Sequence, residues 1–336
     1  MNRQVFGVCI GWGLAGSLCA QTARYVVPPE KAMSPTPGYT TWATAATNIL
    51  EALGAAGAGD TIWVSNGTYT LTNQIVVGNQ QLRSWRDGAL DRDGTVLNGN
   101  YPAYSNRCVY LNHADALVEG FTITNGYAYA VNGGGVYLNA GTLRNCLVTG
   151  NTAPTNNGYG GGVYAAAGVI TNCDIIGNVA DFYGGGVFLN TTSAQLWNSR
   201  IVTNQTTRYV NDRGGGVYSS GGAIYNCLIV SNRLSGRNPC WGGGVFTAGL
   251  MRNCLIAHNY GQSGGGVYTG GNIDNCTIVS NSAGGYGGAI VSGSAAQRIM
   301  NTVFIWNTGS DVYDMDGTTN KYPTNCCIGV FANQYG

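Results

Sequence analysis

The sequence of 336 residues predicts an all-β protein, a right-handed, single-stranded parallel β-helix with an N-terminal capping helix. A repeated pair of sequence blocks, a high glycine content and a low charge content predict this fold. Glycine supplies 54 residues, and Lys, Arg, Asp and Glu together make up only 9% of the chain, against about 25% in ordinary globular proteins. So few charged residues cannot cover a helical protein, which leaves stacked strands as the favoured architecture.

The first repeated block reads Gly-Gly-Gly-Val-Tyr or Gly-Gly-Gly-Val-Phe and recurs every 22 to 30 residues. A glycine in a helix interior costs about 1 kcal/mol relative to alanine, so these triplets exclude helical repeats. Its copies are Gly133–Tyr137, Gly160–Tyr164, Gly184–Phe188, Gly214–Tyr218, Gly242–Phe246 and Gly264–Tyr268, with Tyr286–Ile290 as a less regular seventh.

The second block follows each copy of the first and places two asparagines six residues apart. Its copies are Asn145–Asn151, Asn172–Asn178, Asn198–Asn204, Asn226–Asn232, Asn253–Asn259, Asn275–Asn281 and Asn301–Asn307. An eighth, degenerate coil uses Val109-Tyr110 and Glu119–Asn125. Constant spacing within the blocks and variable spacing between them indicates about eight coils of stacked strands joined by loops of free length.

Apolar residues alternate on either side of the first asparagine, which indicates a strand, a bend and a second strand with one buried face. Asparagine tolerates the left-handed backbone that such a bend requires, so we expect the first asparagines to form an amide ladder at this corner. The second residue of the block forms another column of Cys146, Cys173, Cys227, Cys254 and Cys276, with Ser199 and Thr302 as substitutes.

The cysteine column has two interpretations, buried packing or a metal or redox array. Cysteine is a small hydrophobe, and the Ser and Thr substitutes cannot hold a soft metal, so packing is favoured. Disulfides between successive coils are not excluded by the spacing, but we expect mostly free thiols in this column. Cys240 and the Cys326-Cys327 pair are predicted to be better placed for oxidation.

The remaining segments divide the chain into four parts. Residues 1–23 have the charge and apolar run of a secretory signal peptide, which predicts a secreted or cell-surface protein with no membrane span after cleavage. A lipoprotein signal at Cys19 is the less favoured alternative, because Leu18 precedes it. Residues 24–100 form the cap and first coils, residues 101–310 form the β-helix repeats, and residues 311–336 form a C-terminal segment that we expect to be truncated.

A capping helix is predicted from apolar residues at helical spacing, namely Trp42, Ala45, Ala46, Ile49, Leu50 and Leu53. Thr40 or Thr41 is its predicted N-cap, and Gly54 or Gly57 its stop. A strand is predicted to begin in the segment 59–64.

Several function classes are disfavoured. The net charge is +1 and the sequence contains no basic stripe, so nucleic acid is not an expected partner. The segments 91–94 and 314–317 look like fragments of calcium loops, but they lack the further spaced ligands and are predicted to be turns. The glycine triplets lack the Lys-Ser/Thr that a phosphate loop carries. We therefore predict no cofactor and no metal.

The segment 39–49, the strand at 59–64, the two repeated blocks and Thr324-Asn325-Cys326-Cys327 resemble exported bacterial right-handed β-helix repeat proteins of the pectin-lyase-like superfamily. The blocks are also similar to repeats of polymorphic outer-membrane adhesins and autotransporter passengers. The resemblance covers roughly residues 25–327. It implies a polysaccharide lyase or glycoside hydrolase as an alternative function, and in such enzymes clustered acidic residues with an Arg or Lys partner carry the chemistry.

The acidic residues of the repeats do not form such a cluster, because Asp174, Asp181, Asp212 and Asp274 share no column on adjacent coils. His113 and His258 are unpaired. We therefore predict no catalytic residue.

The best candidate site is a column of aromatic side chains, which should point outward because the preceding valines point inward. It comprises Tyr137, Tyr164, Phe188, Tyr218, Phe246 and Tyr268. These rings either stack to stabilise the sheet or form a glycan-binding stripe for a polysaccharide or cell-surface glycan. The sequence thus favours a secreted, non-catalytic β-helix acting as a surface adhesin, a scaffold or a glycan-binding rod.

Overall fold

The computed structural model describes residues 21–154, 158–208, 211–236, 240–293, 298–308, 312–314 and 324–329. Strands make up 45% and helices 5% of the chain, and parallel sheets form a β-solenoid of about nine turns. This confirms the predicted parallel β-helix. The predicted signal peptide lies almost entirely outside the described residues, as do most of the C-terminal segment and residues 315–317 of the second calcium-like fragment.

Four parallel sheets run along the solenoid; each of the six coils between Thr142 and Ser292 contributes one strand to every sheet, whereas the earlier described coils have no strand in the third. They are named sheets I to IV in the order in which a coil passes through them. Sheet I contains Ala23–Val26, Thr61–Ser65, Gln81–Trp85, Leu117–Glu119, Thr142–Arg144, Gly168–Thr171, Ala194–Trp197, Ala223–Tyr225, Leu250–Arg252, Asn272–Asp274 and Ile299–Met300. Sheet II contains Gly67–Thr70, Thr95–Asn98, Thr122–Thr124, Leu147–Thr149, Asp174–Ile176, Arg200–Val202, Leu228–Val230, Leu255–Ala257, Thr277–Val279, Val303–Ile305 and Cys327–Ile328.

The other two sheets complete each coil. Sheet III contains Thr152–Ala153, Val179–Ala180, Gln205–Thr206, Arg233–Leu234, Tyr260–Ser263 and Ser282–Tyr286. Sheet IV contains Ile75–Val77, Val109–Leu111, Val136–Leu138, Val163–Ala165, Val187–Leu189, Val217–Ser219, Val245–Thr247, Val267–Thr269, Ile290–Ser292 and Val312–Asp314. The short sheet III was not predicted, because its strands of two to five residues show no alternation in the sequence.

The core is one continuous column of apolar side chains inside the four sheets. In a representative coil, Leu143, Cys146 and Val148 are completely buried, and the coil pairs in register with its neighbour, for example Val148 with Ile175. In-register stacking places equivalent residues of successive coils directly above one another, as the repeat predicted.

The cysteine column is buried, which confirms the packing interpretation. Cys146, Cys173, Cys227, Cys254 and Cys276 are at most 3% exposed and are free thiols. Each sulfur lies 3.1–3.4 Å from the backbone carbonyl oxygen of the residue two positions earlier in the sequence.

The prediction for Cys240 is wrong. Its side chain is completely buried, and burial raises the pKa of its thiol, which disfavours the reactive thiolate. Cys326 is partly buried and Cys327 is exposed, as expected for this pair.

The first asparagines bend the chain between sheets I and II, as predicted. Their φ angles lie between 48° and 55°, in the left-handed region. The expected amide ladder forms only in part: the Nδ2 of Asn226 donates to Asn198 Oδ1 at 3.0 Å, and the Nδ2 of Asn253 donates to Asn226 Oδ1 at 3.2 Å. Asn145 instead donates to the Glu119 carboxylate, which replaces an asparagine partner there.

The second asparagines form a continuous ladder inside the molecule, which the sequence analysis missed. Its fully buried members are Asn151, Asn178, Asn204, Asn232, Asn259 and Asn281, and Asn307 ends it. Each Nδ2 donates to the Oδ1 of the asparagine in the next coil at 2.9–3.1 Å. The same Oδ1 accepts the backbone N–H of the preceding asparagine, so the buried amides satisfy one another.

The inner ladder explains the glycine triplets. A Cβ on Gly185 would collide with the carbonyl oxygen of Gly215 in the next coil, and a Cβ on Gly186 would lie 2.9 Å from Asn204 Cγ. Gly184 has a φ of 64°, which side chains disfavour. The triplet therefore lets the backbone pass close to both the next coil and the ladder.

The degenerate coil was predicted with a register error of one residue. Glu119 pairs with Arg144 rather than with Asn145, so Gly120 occupies the corner with a φ of 83°. Phe121 then fills the buried position that cysteine fills in later coils. The shift arises because glycine replaces asparagine where a left-handed backbone is needed.

The predicted capping helix is interrupted. A 3-10 turn spans Trp42–Thr44, and the α-helix covers only Ile49–Ala55. Between them, Ala46 pairs with Val26 at the open edge of sheet I, and this strand-like contact replaces a continuous helix. Thr41 caps the 3-10 turn, while Asn48 caps the helix. A further 3-10 turn spans Pro29–Lys31.

Candidate functional site

The predicted aromatic column lies on the outer face of sheet IV. Strand alternation buries each preceding valine completely and turns the following ring outward. Neighbouring rings from Tyr137 to Tyr268 stack with centroids 4.7–5.1 Å apart and interplanar angles of 4–27°. Tyr110 extends the column with an edge-on contact to Tyr137 at 5.3 Å.

The parallel stacking determines which parts of the rings a ligand can contact. Because the rings lie nearly parallel, their faces are occupied by each other rather than left open to solvent. A ligand on this surface therefore meets ring edges and tyrosine hydroxyl groups. The geometry supports the stabilising role of the rings and argues against a sugar stacking flat on each ring.

Side chains that precede the glycine triplets form a second row beside the aromatic column, termed here the flanking row. It contains Tyr159, Tyr183, Arg213 and Trp241. Within it, Tyr183 pairs with Arg213 and Arg213 pairs with Trp241 as isolated parallel bridges. Because these residues lie at equivalent positions of successive stacked coils, the row runs parallel to the aromatic column.

The flanking row covers part of the column. Tyr159 stacks on Phe188 at 5.0 Å, and Tyr183 stacks on Tyr218 at 4.8 Å. Phe188 is only 6% exposed, and Tyr164, which stacks between Tyr137 and Phe188, is only 7% exposed; both values correct the expectation that every ring is partly exposed. The other four rings remain partly exposed. Burial raises the pKa of Tyr164 to about 12, so its hydroxyl stays protonated at neutral pH.

Arginines lie over the rings, a feature that the sequence pattern did not reveal. The Arg213 guanidinium carbon lies 5.0 Å from the Phe246 centroid and 4.8 Å from that of Trp241. Arg107 lies 4.9 Å from the Tyr137 centroid. These distances are those of cation–π contacts, which anchor the guanidinium groups without a carboxylate. The column and the flanking row together with Arg107 are termed the aromatic–arginine stripe.

Asp212 lies directly before Arg213 and is completely buried. Its Oδ2 accepts a hydrogen bond from Thr206 Oγ1 at 2.9 Å, and its Oδ1 has no partner among the described residues. Burial raises the pKa of Asp212 to about 7, because removal from water penalises the charged form.

Three further carboxylates, those of Glu119, Asp174 and Asp274, form ion pairs with arginines of other coils, away from the stripe. Glu119 accepts from Arg144 Nε at 2.7 Å, and Asp174 forms ion pairs with Arg92 at 2.8 Å and Arg200 at 3.2 Å. Asp274 forms an equivalent ion pair with Arg252 at 3.0 Å. The structure therefore assigns these carboxylates to contacts between coils.

Neither histidine joins a cluster in the described chain. His113 accepts the Asp115 N–H, and His258 occupies a left-handed turn with a φ of 55°. Asp91 accepts the Gly94 N–H at 3.1 Å, which confirms that the first calcium-like fragment is a turn.

Within the described ranges, no group of three or more His, Cys, Asp or Glu side chains is arranged to hold a metal ion. No helix of this part of the chain is long and apolar enough to cross a bilayer.

The described chain is a parallel β-solenoid with an aromatic–arginine stripe on one face. Among solved structures it is similar to the pectin methylesterase from Aspergillus niger in deglycosylated form, with a TM-score of 0.37 and 17% sequence identity. That alignment covers 91% of this chain and 87% of the esterase. No family model and no curated protein matches the sequence.

Proposed function

We propose that the protein is an exported, non-catalytic β-helix that serves as a surface adhesin or scaffold and binds polysaccharide along the aromatic–arginine stripe. The observation that carries the proposal is the in-register continuity of the stripe. Six rings separated by about 5 Å give a row about 25 Å long. A row of this length with a constant repeat suits an extended polymer better than a small molecule.

The chemistry of the stripe supports a hydroxyl-rich ligand. The hydroxyl groups of Tyr137, Tyr218 and Tyr268 can each donate and accept hydrogen bonds, and these rings are partly exposed. Arg213 adds several donors in a fixed planar arrangement. Sugar hydroxyl groups, and carboxylates where a glycan carries them, fit such a mixture of groups.

Retention on polysaccharides tests the proposal. The wild-type protein is compared with Arg213→Ala and Tyr218→Phe in co-sedimentation with insoluble polysaccharides and affinity electrophoresis with soluble ones. Arg200→Ala is the matched control, because it removes a half-exposed arginine from sheet II. We expect retention by at least one polysaccharide, weakened roughly tenfold in Arg213→Ala and unchanged in the control. Equal retention of all variants, or no retention, would overturn the proposal.

A polysaccharide lyase or glycoside hydrolase is the second candidate, and Asp212 is the observation that favours it. A carboxyl group with a pKa near 7 is suited to act as a general acid or base, and Asp212 adjoins the stripe. Asp212 is completely buried, so a substrate could reach it only after a local rearrangement. Release of reducing ends or unsaturated products by the wild type, abolished in Asp212→Asn, would establish this activity.

A further inference from the structure

A solvent-open cleft lies near the N-terminal end of the solenoid, at the corner between sheets I and II. Its volume is about 480 Å³, within the range of about 300–1,000 Å³ that small-molecule sites occupy. The cleft is lined by Trp42, Ser65, Asn66, Trp85, Arg86 and Asp87. It shares no residue with the aromatic–arginine stripe.

The two indole rings of the cleft are fixed, but they are not enclosed in parallel stacks. Trp42 contacts Tyr25 with centroids 4.5 Å apart and an interplanar angle of 57°. Trp85 meets Trp63 at 5.0 Å and 65°. Both indoles are partly exposed and line the same cavity. Each of these tilted contacts holds its indole ring by one neighbour, whereas the four interior rings of the aromatic column are stacked on both faces.

A rigid hairpin presents the charged groups of the cleft. Arg86 and Ala89 exchange two backbone hydrogen bonds of 2.9 Å, and Asp87 and Gly88 between them both have positive φ. This is the backbone of a two-residue hairpin turn, for which Asp-Gly is a preferred sequence. Arg86 forms ion pairs of 3.7 Å with Asp87 and with Asp91, but its side chain remains 58% exposed and that of Asp87 95% exposed, so both can still contact a ligand.

Ser65 and Asn66 add further polar atoms to the lining of the cleft. Lys31 Nζ donates to the backbone oxygen of Asn66 at 2.7 Å and to its Oδ1 at 2.9 Å, which fixes the side-chain amide. Ser65 Oγ is buried and has no hydrogen-bond partner among the described residues. The cleft therefore combines fixed donors and acceptors with two aromatic walls.

We infer that this cleft binds a neutral sugar, as a short oligosaccharide or the end of a glycan chain. Indole faces suit the apolar C–H face of a pyranose ring, and hydroxyl groups can pair with donors and acceptors alike. A cationic ligand would be opposed by Arg86 and Lys31, and an anionic ligand by Asp87 and the nearby Asp91. Because Arg86 is ion-paired with Asp87 and Asp91, these charges offset one another, and a neutral, polyhydroxylated ligand suits the cleft best.

Titration of the full-length protein with cellotriose, mannotriose and galactotriose tests the inference, with trigalacturonate and choline as charged probes. Tryptophan fluorescence and calorimetry report binding. We expect saturable binding of at least one neutral trisaccharide, weakened roughly tenfold in Trp85→Ala and in Arg86→Ala. Trp197→Ala is the matched control, because Trp197 lies on the same sheet but stacks on Tyr225.

The Arg86 variant keeps the test decisive if Trp85→Ala fails to fold, since Arg86 is largely exposed. No binding of any neutral trisaccharide, unchanged binding in the cleft variants, or tighter binding of a charged probe would overturn the inference. Trisaccharide binding should survive Arg213→Ala. The stripe and the cleft can therefore fail independently of each other.

Discussion

Replacing Asn204 with alanine would remove one side chain from the middle of the inner asparagine ladder. Asn204 Nδ2 donates to Ile175 O at 2.8 Å and to Asn232 Oδ1 at 3.0 Å. Its Oδ1 accepts the backbone N–H of Asn178 at 2.9 Å and the Nδ2 of Asn178 at 3.0 Å. The substitution thus removes four hydrogen bonds from a site with no exposed surface.

Some of the groups that Asn204 binds keep another hydrogen bond after the substitution. Asn232 Oδ1 keeps the backbone N–H of Asn204, and Asn178 Nδ2 keeps two backbone carbonyl groups. The Asn178 N–H loses its acceptor, and the Ile175 carbonyl loses its side-chain donor. A buried polar group without a partner costs about 1–3 kcal/mol, so we expect the free energy of unfolding to fall by about 2–5 kcal/mol.

Denaturant unfolding followed by circular dichroism measures this loss. Asn139→Ala is the matched control, because Asn139 is exposed and donates a single hydrogen bond of 3.3 Å to Asn112. A surface change of this kind alters stability by no more than about 0.5 kcal/mol. If Asn204→Ala were as stable as this control, the inner ladder would not hold the coils together as described.

Three further results follow from the structure. Burial raises the pKa of Asp212 to about 7, so the stability of the wild-type protein should fall as the pH rises from about 4 through 7. In thermal melts at several pH values, Asp212→Asn should not show this fall. Thiol labelling of native protein should modify Cys327 and spare Cys173 until denaturant is added; rapid native labelling of Cys173 would contradict its burial. Phe188→Ala should lower the melting temperature more than Phe246→Ala, because Phe188 is only 6% exposed under the Tyr159 and Tyr183 rings, whereas Phe246 is partly exposed beside Arg213; equal shifts would show that the ring cover adds no stability.

The buried columns could be predicted because a strand alternates its side chains between two faces. Cys146 and Val148 are two residues apart and both point inward, as that rule requires. The rule also explains why Asn151 was missed, since an odd separation from Val148 predicts an outward side chain. Gly150 has a φ of 64°, and this left-handed residue reverses the alternation and turns Asn151 into the core.

The site was only partly predictable for a different reason. Alternation after Val136 was sufficient to place Tyr137 outward. The rings and guanidinium groups that cover the column lie at the ends of loops of variable length, where strand alternation does not predict the direction of a side chain. The contact of Tyr183 with Tyr218, for example, joins residues of different coils. The constant position of such residues before the glycine triplet was the signal that could have indicated the flanking row.

Binding of a polysaccharide along the aromatic–arginine stripe would be visible in a crystal structure of the complex. The crystals would contain an oligosaccharide prepared from the polysaccharide that retains the protein best. We expect density for successive sugar residues along sheet IV, with hydroxyl contacts to Tyr218 and Arg213. Density on another face of the solenoid, with the stripe empty, would contradict it.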